Sequence, residues 1–390
     1  MTISRRRFAK GLVAAGATLA FDRWLEGQAL RPVSGGRLVR SLPLGRFDGR
    51  PAPPLETLLG AGLDARQFTD LSDLDSDHLQ TPVERFYIRT SRPASLPDLA
   101  TWQIVSGGLV TREQTFDIRA LEADARDVGL RVMECSGNSD PANFGLLSAA
   151  RWAGTPIAVL LDRASKQASA RRVRITGFDD PGPSATSTPG ASWIFTADEL
   201  ERTGALLALR MNGEGLTPDH GAPVRLLVPN YYGCSCIKWV TRIDWVADDA
   251  PATPQMMEFS ARTHQAGVPR LARDYEPPAI DLAALPIRVE QWMVTRDGRD
   301  QVRYRVVGLR WGGTAARAPL TIRFRHSEPF VPVDHSPDLE TPGAWSLWSH
   351  EWAPAAPGRY QIALGVSDPG IRVRRLDLYY YTREVEIDAV

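Results

Sequence analysis

Cysteine, net charge and long apolar runs are all scarce in this sequence. Three cysteines among 390 residues, Cys135, Cys234 and Cys236, exclude a fold built on several disulfides. Lysine and arginine number 46, as do aspartate and glutamate, so no overall field draws the chain to nucleic acid or to an acidic membrane. Any anion must therefore bind at a local site. The hydrophobic content of 43% is that of a globular protein and excludes a disordered chain or a multi-span membrane protein.

The N-terminus carries the pattern of an export signal. Arg5-Arg-Arg-Phe-Ala-Lys10 precedes a run of small and apolar residues from Gly11 to Phe21. As a helix this run would rise about 16 Å, roughly half of a bilayer core of about 30 Å, and would be too short to span it. We interpret residues 1–30 as a twin-arginine signal or tail and expect a periplasmic location. The alternative is a basic tail on a protein that stays in the cytosol.

The rest of the chain changes its pattern along its length. At 390 residues it exceeds the usual domain size of about 150 residues, which favours two domains. Short strand signals alternate with helical stretches between residues 102 and 245, and capping residues at Asp117 and Thr196 predict two helix starts. Further along, residues 302–308, 320–325 and 360–366 alternate apolar with polar residues, as half-buried antiparallel strands do.

These patterns predict an α+β fold in which a mixed domain precedes a β-sandwich of immunoglobulin type. A helical candidate at residues 55–68 lies in a segment interrupted by proline and glycine. The predicted boundaries are residues 40–250 for the mixed domain, 251–285 for a linker, and 286–390 for the sandwich.

One cysteine lies where chemistry is expected. Cys135 follows an apolar strand, in Glu134-Cys-Ser-Gly-Asn138, so its thiol lies at a strand end before a turn of small residues. A thiolate there can act as a nucleophile or as a soft metal ligand. The alternative from composition alone is a buried thiol that only fills space. Cys234 and Cys236 are interpreted as packing residues, with a redox role as the alternative, because a Cys-x-Cys disulfide closes a cramped ring.

Several strings, in family order, resemble the sulfite oxidase family of molybdenum enzymes from about residue 80 to the C-terminus. The strings are Glu84-Arg-Phe-Tyr-Ile-Arg89-Thr-Ser-Arg-Pro93, Glu134-Cys-Ser-Gly-Asn138, Arg151-Trp-Ala-Gly154, Asp219-His-Gly-Ala-Pro-Val-Arg225, Gly233-Cys-Ser-Cys-Ile-Lys238-Trp239 and Ala344-Trp-Ser-Leu-Trp348. The last of these resembles part of the family's C-terminal dimerisation domain. The resemblance therefore implies a mixed molybdopterin-binding domain, a C-terminal sandwich and a homodimer.

The resemblance also implies roles for individual residues. Cys135 would be the sole protein ligand to molybdenum, with the other sulfurs supplied by the dithiolene of one molybdopterin. The residues implied to hold the cofactor are Arg89, Cys135, Asp179, Ser192, His220, Arg225, Gly233, Ser235 and Lys238. Those implied to lie nearest the metal and the substrate are Arg89, Cys135, Arg262 and His264.

The sequence departs from the family pattern where the substrate is bound. Ser139 and Asp140 stand where sulfite-oxidising members usually have arginines, and Ser91 stands where histidine is usual. A carboxylate in place of a cation turns attraction of an anionic substrate into repulsion. The family's substrate-side tyrosine has no clear counterpart, and Phe259, Arg262 and His264 are the nearest candidates.

The resemblance implies oxygen-atom transfer on a small sulfur compound, which need not be sulfite. The chain has no C-x-x-C-H haem-attachment sequence, so we expect no haem here and electron transfer to a separate cytochrome. Two alternatives remain: a reductase of S-oxides, and an exported binding module with an immunoglobulin-like domain and no metal.

Overall fold

The structure, a computed structural model, describes residues 30, 32–44, 66–89, 93, 96–139, 144–178, 191–339 and 341–389. The predicted export signal and almost all of the helical candidate at residues 55–68 lie outside the described residues. Among those described, no helix is long and apolar enough to cross a membrane.

The described elements are eighteen strands and four short α-helices. The strands are β1 (Gly36–Pro43), β2 (Gln103–Gly108), β3 (Gln114–Asp117), β4 (Arg126–Glu134), β5 (Leu147–Pro156), β6 (Arg172–Gly177), β7 (Ser192–Thr196), β8 (Leu206–Met211), β9 (Glu214–Gly215), β10 (Arg225–Leu227), β11 (Val240–Val246), β12 (Ala283–Arg296), β13 (Arg299–Trp311), β14 (Leu320–Arg323), β15 (Val331–Pro332), β16 (Trp345–Trp352), β17 (Gly358–Val366) and β18 (Arg383–Ile387). The helices are α1 (Ile118–Glu122), α2 (Ile157–Arg163), α3 (Ala197–Arg202) and α4 (Pro254–Glu258).

The chain divides into two compact units that are not contiguous in sequence. The mixed unit comprises the described residues within 47–70 and 80–280, and the β unit comprises those within 1–46, 71–79 and 281–390. This division differs from the predicted boundaries at both ends. The predicted start at residue 40 falls inside β1, and the predicted linker ends at residue 285, inside β12. The reason is that β1 pairs antiparallel with β12, a long-range pairing that no local pattern reveals.

The mixed unit holds two five-stranded sheets. One has the order β10-β8-β5-β4 with β9 beside β8, and the other has the order β3-β2-β11-β6-β7. The predicted helix starts are confirmed. Asp117 accepts a hydrogen bond from the Ala120 amide at 2.7 Å, and Thr196 and Glu199 form a reciprocal capping box at the start of α3. The α+β class predicted from the sequence is also confirmed.

The β unit holds two four-stranded antiparallel sheets, ordered β1-β12-β13-β16 and β15-β14-β17-β18. The three predicted alternating segments fall on β13, β14 and β17, and their inward residues form a core with Trp311, Trp345 and Trp348, all fully buried. The arrangement of these two sheets as a sandwich of immunoglobulin type stays a prediction.

A buried ion network lies inside the β unit. Glu290 accepts hydrogen bonds from Arg288 at 2.9 Å, from Arg305 at 2.7 Å and from the Trp292 indole at 3.1 Å. The side chains of Arg288, Glu290 and Arg305 are each about a tenth exposed or less. One carboxylate therefore compensates two guanidinium groups that are largely withdrawn from water.

Replacing Glu290 with alanine should destabilise the β unit strongly. Loss of the carboxylate leaves two buried cations uncompensated, which costs about 3–5 kcal/mol. Urea unfolding followed by tryptophan fluorescence measures this loss. The matched control is Glu384→Ala, which removes an exposed pair with Arg359 in the same unit and should cost less than about 1 kcal/mol. Equal losses of unfolding free energy in the two variants would contradict the role of Glu290 in compensating the buried guanidinium groups.

Candidate functional site

Cys135 lies directly after β4, and a hydrogen-bonded turn fixes its position. Its amide donates to the Leu146 carbonyl at 3.0 Å, and its carbonyl accepts from the Asn138 amide at 3.0 Å. The Asn138 side chain links this turn to the fully buried Glu134 at 3.3 Å and to the Leu146 amide at 3.2 Å. The thiol is therefore held on a rigid support at the end of a strand.

The environment of the Cys135 thiol both disfavours and compensates negative charge. Burial raises its pKa, whereas the Gly137 amide and the charges of Arg89 and Arg262 lower it, with a net increase. The Gly137 amide lies 3.4 Å from Sγ. Because the protein compensates the thiolate only in part, a bound cation would favour the deprotonated form further.

The thiol faces a cavity in the mixed unit whose lining is rich in sulfur, positive charge and aromatic rings. The sulfur-bearing residues are Met133, Cys135, Cys234 and Cys236; the basic residues are Arg89, His220, Arg225 and Lys238; and the rings are Phe86, Tyr87, Trp239 and Phe259. The remaining lining residues are Ala191, Gly233, Ile237, Gln255 and Glu258. A single cavity therefore combines a soft donor with a basic wall.

Arg225 is the most deeply buried cation of this wall. Its guanidinium donates to the His220 carbonyl at 3.2 Å and to the Cys236 carbonyl at 3.1 Å, and lies over the Trp152 ring at 5.6 Å. Its Nε is buried and has no hydrogen-bond partner among the described residues. Burial lowers the pKa of this guanidinium. The group therefore keeps a donor and most of a positive charge available to an anion in the cavity.

Lys238 and Trp239 form the neighbouring part of the wall. The Lys238 ammonium donates to the Asp219 carbonyl at 2.7 Å and lies 5.2 Å from the Trp239 ring centroid. Trp239 has a φ of 51°, in the left-handed region that disfavours a bulky side chain, and its buried indole donates to the Pro218 carbonyl at 2.9 Å. This strained backbone places the ammonium of one residue and the ring of the next in contact.

His220 is neutral in this setting. Burial, together with the charges of Lys238 and Arg225, lowers its pKa to about 3. Its Nδ1 lies 2.7 Å from Thr217 Oγ1 and its Nε2 lies 3.4 Å from the Phe86 carbonyl. The imidazole can therefore serve as a hydrogen-bonding group but not as a cation.

A buried ion pair supports this wall from behind. Arg66 and Asp219 are 2.6 Å apart, with side chains 0% and 6% exposed. Because Asp219 also receives the Lys238 ammonium at its carbonyl and precedes His220, the pair holds both groups in place. The sequence offered no signal for Arg66, which lies more than a hundred residues from its partner.

The structure brings most of the predicted site residues together. Arg89, Cys135, His220, Arg225, Gly233 and Lys238 all line the cavity. Arg262 adjoins it: a Cβ built on Gly137 would lie 3.1 Å from Arg262 Nη1 and 3.7 Å from Cys135 Sγ. Gly233 is required by packing, since a Cβ there would lie 2.8 Å from the Tyr87 hydroxyl.

Besides Arg262, three predicted residues do not line the cavity, and another lies outside the described residues. Ser192 is buried in β7, where its carbonyl accepts from Thr253. The Ser235 hydroxyl is turned back to the Tyr232 carbonyl at 2.9 Å, and His264 Nε2 lies 2.9 Å from the Ala279 carbonyl. Asp179 lies outside the described part of the chain.

Cys234 and Cys236, interpreted from the sequence as packing residues, line the same cavity as Cys135. All three are free thiols. Burial raises the pKa of both Cys234 and Cys236. Cys236 Sγ lies 3.4 Å from the Val228 amide, which fixes it against the backbone. Among the described residues, no three His, Cys, Asp or Glu side chains are placed to hold a metal ion together.

The low pKa of His220 predicts a pH dependence of stability. The unfolded chain binds a proton near pH 6.5 and the folded chain only near pH 3, so the free energy of unfolding should fall between these values as pH falls. This contribution amounts to about 1.4 kcal/mol per pH unit. His220→Gln removes it, and urea unfolding of the cofactor-free protein at pH 7 and pH 5 measures the difference. Parallel pH profiles of the two proteins would show that His220 does not titrate as stated.

Comparisons with known proteins agree with this geometry. The family model for the oxidoreductase molybdopterin binding domain matches residues 92–253. The chain is similar to inducible nitrate reductase [NADH] 2 of Glycine max, 29% identical over 187 residues, which are 44% of this chain and 21% of that protein. It is likewise similar to nitrate reductase [NADPH] of Beauveria bassiana, 31% identical over 190 residues, which are 44% of this chain and 21% of that one. The similarity thus spans about a fifth of the length of these relatives.

A solved structure matches over a much larger share of the chain. The sulfane dehydrogenase SoxCD from Paracoccus pantotrophus superposes with a TM-score of 0.60, covering 90% of this chain and 91% of the matched chain at 16% identity. At that identity the likeness concerns the fold. The family model thus identifies residues 92–253 as an oxidoreductase molybdopterin binding domain, and the chain is similar to the sulfite oxidase family in its sequence motifs and to the solved structure in its fold.

Proposed function

We propose that this enzyme transfers an oxygen atom to or from a small sulfur compound and works in the periplasm. One observation carries the proposal: the Cys135 thiol, the two guanidinium groups of Arg89 and Arg225, and the Lys238 ammonium converge on one cavity. A soft donor suits a high-valent metal, and the cations suit an oxyanion and a phosphate.

The residues present fit a molybdenum–molybdopterin cofactor. Cys135 offers a single thiolate, so the other sulfur donors would come from the dithiolene of the cofactor. Arg225, with a buried and unpartnered Nε, and Lys238 would hold the phosphate of the pterin. His220 would act as a neutral hydrogen-bonding group. When bound, the cofactor supplies a two-electron oxygen-atom transfer centre.

The protein's own side chains would bind and orient the substrate. In the oxidative direction, a sulfur lone pair gains an oxygen that derives from water, and two electrons and two protons are released. Arg89 and Arg262, whose charges act on the Cys135 thiol, would hold the oxygens of the substrate or product. The aromatic wall of Phe86, Tyr87 and Phe259 would keep the reacting sulfur away from bulk water.

Four further parts of the proposal are supported by observations outside the cavity. A sulfur substrate is favoured by the sequence motifs and by the name of the structural relative, a sulfane dehydrogenase. Export is favoured by the twin-arginine pattern, and electron exchange with a separate cytochrome by the lack of a haem-attachment sequence. A homodimer formed through the C-terminal sandwich is proposed from the motif at Ala344–Trp348.

Metal analysis tests the enzyme proposal most directly. Protein purified from a molybdate-replete host should contain about one molybdenum and one pterin per chain. Turnover assays with sulfite, a methyl sulfoxide and nitrate should then give activity with a sulfur compound. Protein with neither molybdenum nor pterin would favour the metal-free binding module, and activity with nitrate alone would refute the sulfur substrate.

Cys135→Ser should abolish turnover and leave the fold intact, because one soft donor is lost while the turn at residues 134–138 keeps its hydrogen bonds. Circular dichroism and steady-state assays check both expectations. The matched variant is Cys236→Ser, at a thiol held against Val228, which should keep most of its activity. Retained turnover in Cys135→Ser would refute the ligand assignment.

A further inference from the structure

Three charged side chains gather at the cavity mouth, which we define by Arg89, Glu258 and Arg262. Arg89 is partly exposed and the other two are exposed, whereas Cys135 and Arg225 beneath them are buried. None of the three side chains forms a hydrogen bond or an ion pair within 4 Å with other described residues. Their charges are therefore available to a ligand.

Other residues of opposite charge in the mixed unit form ion pairs with each other. Arg163 pairs with Asp124 at 2.7 Å, and Arg210 pairs with Glu122 at 2.8 Å, although all four are partly exposed. Neighbouring opposite charges on this surface thus do approach each other closely. The three side chains of the cavity mouth also carry both signs of charge, but they do not form such close pairs with one another.

Glu258 is the one carboxylate among the described residues that line the cavity. It ends α4, whose first turn is fixed by the Thr253 hydroxyl accepting from the Met256 amide at 3.2 Å. The charges of Arg89 and Arg262 act on both Glu258 and the Cys135 thiol. The two guanidinium groups therefore lie near the reacting centre and near this carboxylate.

This mixture of charges suits one class of ligand better than another. A small dianion such as sulfite would be attracted by the two guanidinium groups and repelled by Glu258. A molecule that carries an ammonium and a carboxylate can satisfy both signs, with the ammonium on Glu258 and the carboxylate on an arginine. Phe259, whose ring lies 5.9 Å from the Arg262 guanidinium carbon, supplies an apolar contact beside them.

We propose that Glu258 is a specificity-determining residue that accepts the ammonium group of a zwitterionic organosulfur substrate. The inference rests on the proposed function, because it names the substrate class of that same cavity. Substrates of this class have an amino-acid head group and a thioether or S-oxide sulfur. Glu258 then favours such substrates over inorganic sulfur anions.

Two ligands that differ in the ammonium group test its contribution to binding. S-methylcysteine S-oxide carries both an ammonium and a carboxylate, whereas 3-(methylsulfinyl)propanoate has the same carboxylate and sulfur but no ammonium. Isothermal titration gives the dissociation constant of each ligand with the protein as purified. Binding is measured rather than turnover, so the result does not depend on the direction of the reaction.

The wild-type protein should bind the zwitterion at least about fivefold more tightly than the propanoate. In Glu258→Gln the dissociation constant of the propanoate divided by that of the zwitterion should fall to about one. Sulfite should bind to this variant a few-fold more tightly than to the wild-type protein. The control variant is Glu214→Gln, at an exposed carboxylate on β9 outside the cavity, which should preserve the wild-type ratio. Molybdenum content is measured for each variant to detect loss of the cofactor.

The outcomes separate this inference from the proposed function. If the enzyme turns over a sulfur compound but the wild-type protein binds the zwitterion and the propanoate equally well, the role of Glu258 is refuted and the proposed function stands. Protein without molybdenum or pterin would refute the proposed function, and the binding ratio would still report on Glu258. A ratio above five that survives in Glu258→Gln would show that another group binds the ammonium, and would equally overturn the inference.

Discussion

The site depends on positive charge that lies around the buried Cys135 thiol. Arg225 and Lys238 both donate hydrogen bonds to backbone carbonyls, whose dipoles solvate the two charges inside the protein. Two consequences follow. A histidine placed between them stays neutral, and the Cys135 thiol is favoured as a thiolate only when further positive charge arrives. The basic wall of the cavity therefore favours binding of an anionic group, and the Cys135 thiolate favours binding of a cationic one.

The scaffold keeps these charges in place by means that lie outside the cavity. The Arg66–Asp219 pair fixes the segment that carries His220, and the Lys238 ammonium donates to the carbonyl of the same Asp219. On the other side, the fully buried Glu134 secures the turn that presents Cys135. Cys135 and His220 thus each follow a buried acidic residue that is held by a side-chain contact, which limits how far these two groups can move.

Local sequence patterns were sufficient where a side chain lies at a strand end or a helix cap. Cys135 after β4, and the capping residues Asp117 and Thr196, could be placed because a strand tip or a first helical turn has few possible geometries. The sequence pattern did not predict the direction of a side chain where neighbouring residues of a turn point to different sides. In the tight turn from Gly233 to Ser235 the serine hydroxyl faces away from the cavity, although the residues on either side of it line the cavity. Glu258 and Arg66 reach the site only through tertiary contacts, which no local pattern encodes.

The pairing of β1 with β12 has a consequence for the order of synthesis. The Arg40 side chain donates to Gln291, 251 positions later in the chain. At about 5–20 residues per second, a ribosome needs tens of seconds to make the second strand after the first has emerged. During that interval the edge of β1 has no partner from its own sheet, and unpaired strand edges promote aggregation. The pairing of β1 therefore waits until β12 has been made, and a nascent chain of this protein would benefit from a chaperone that covers its first strand.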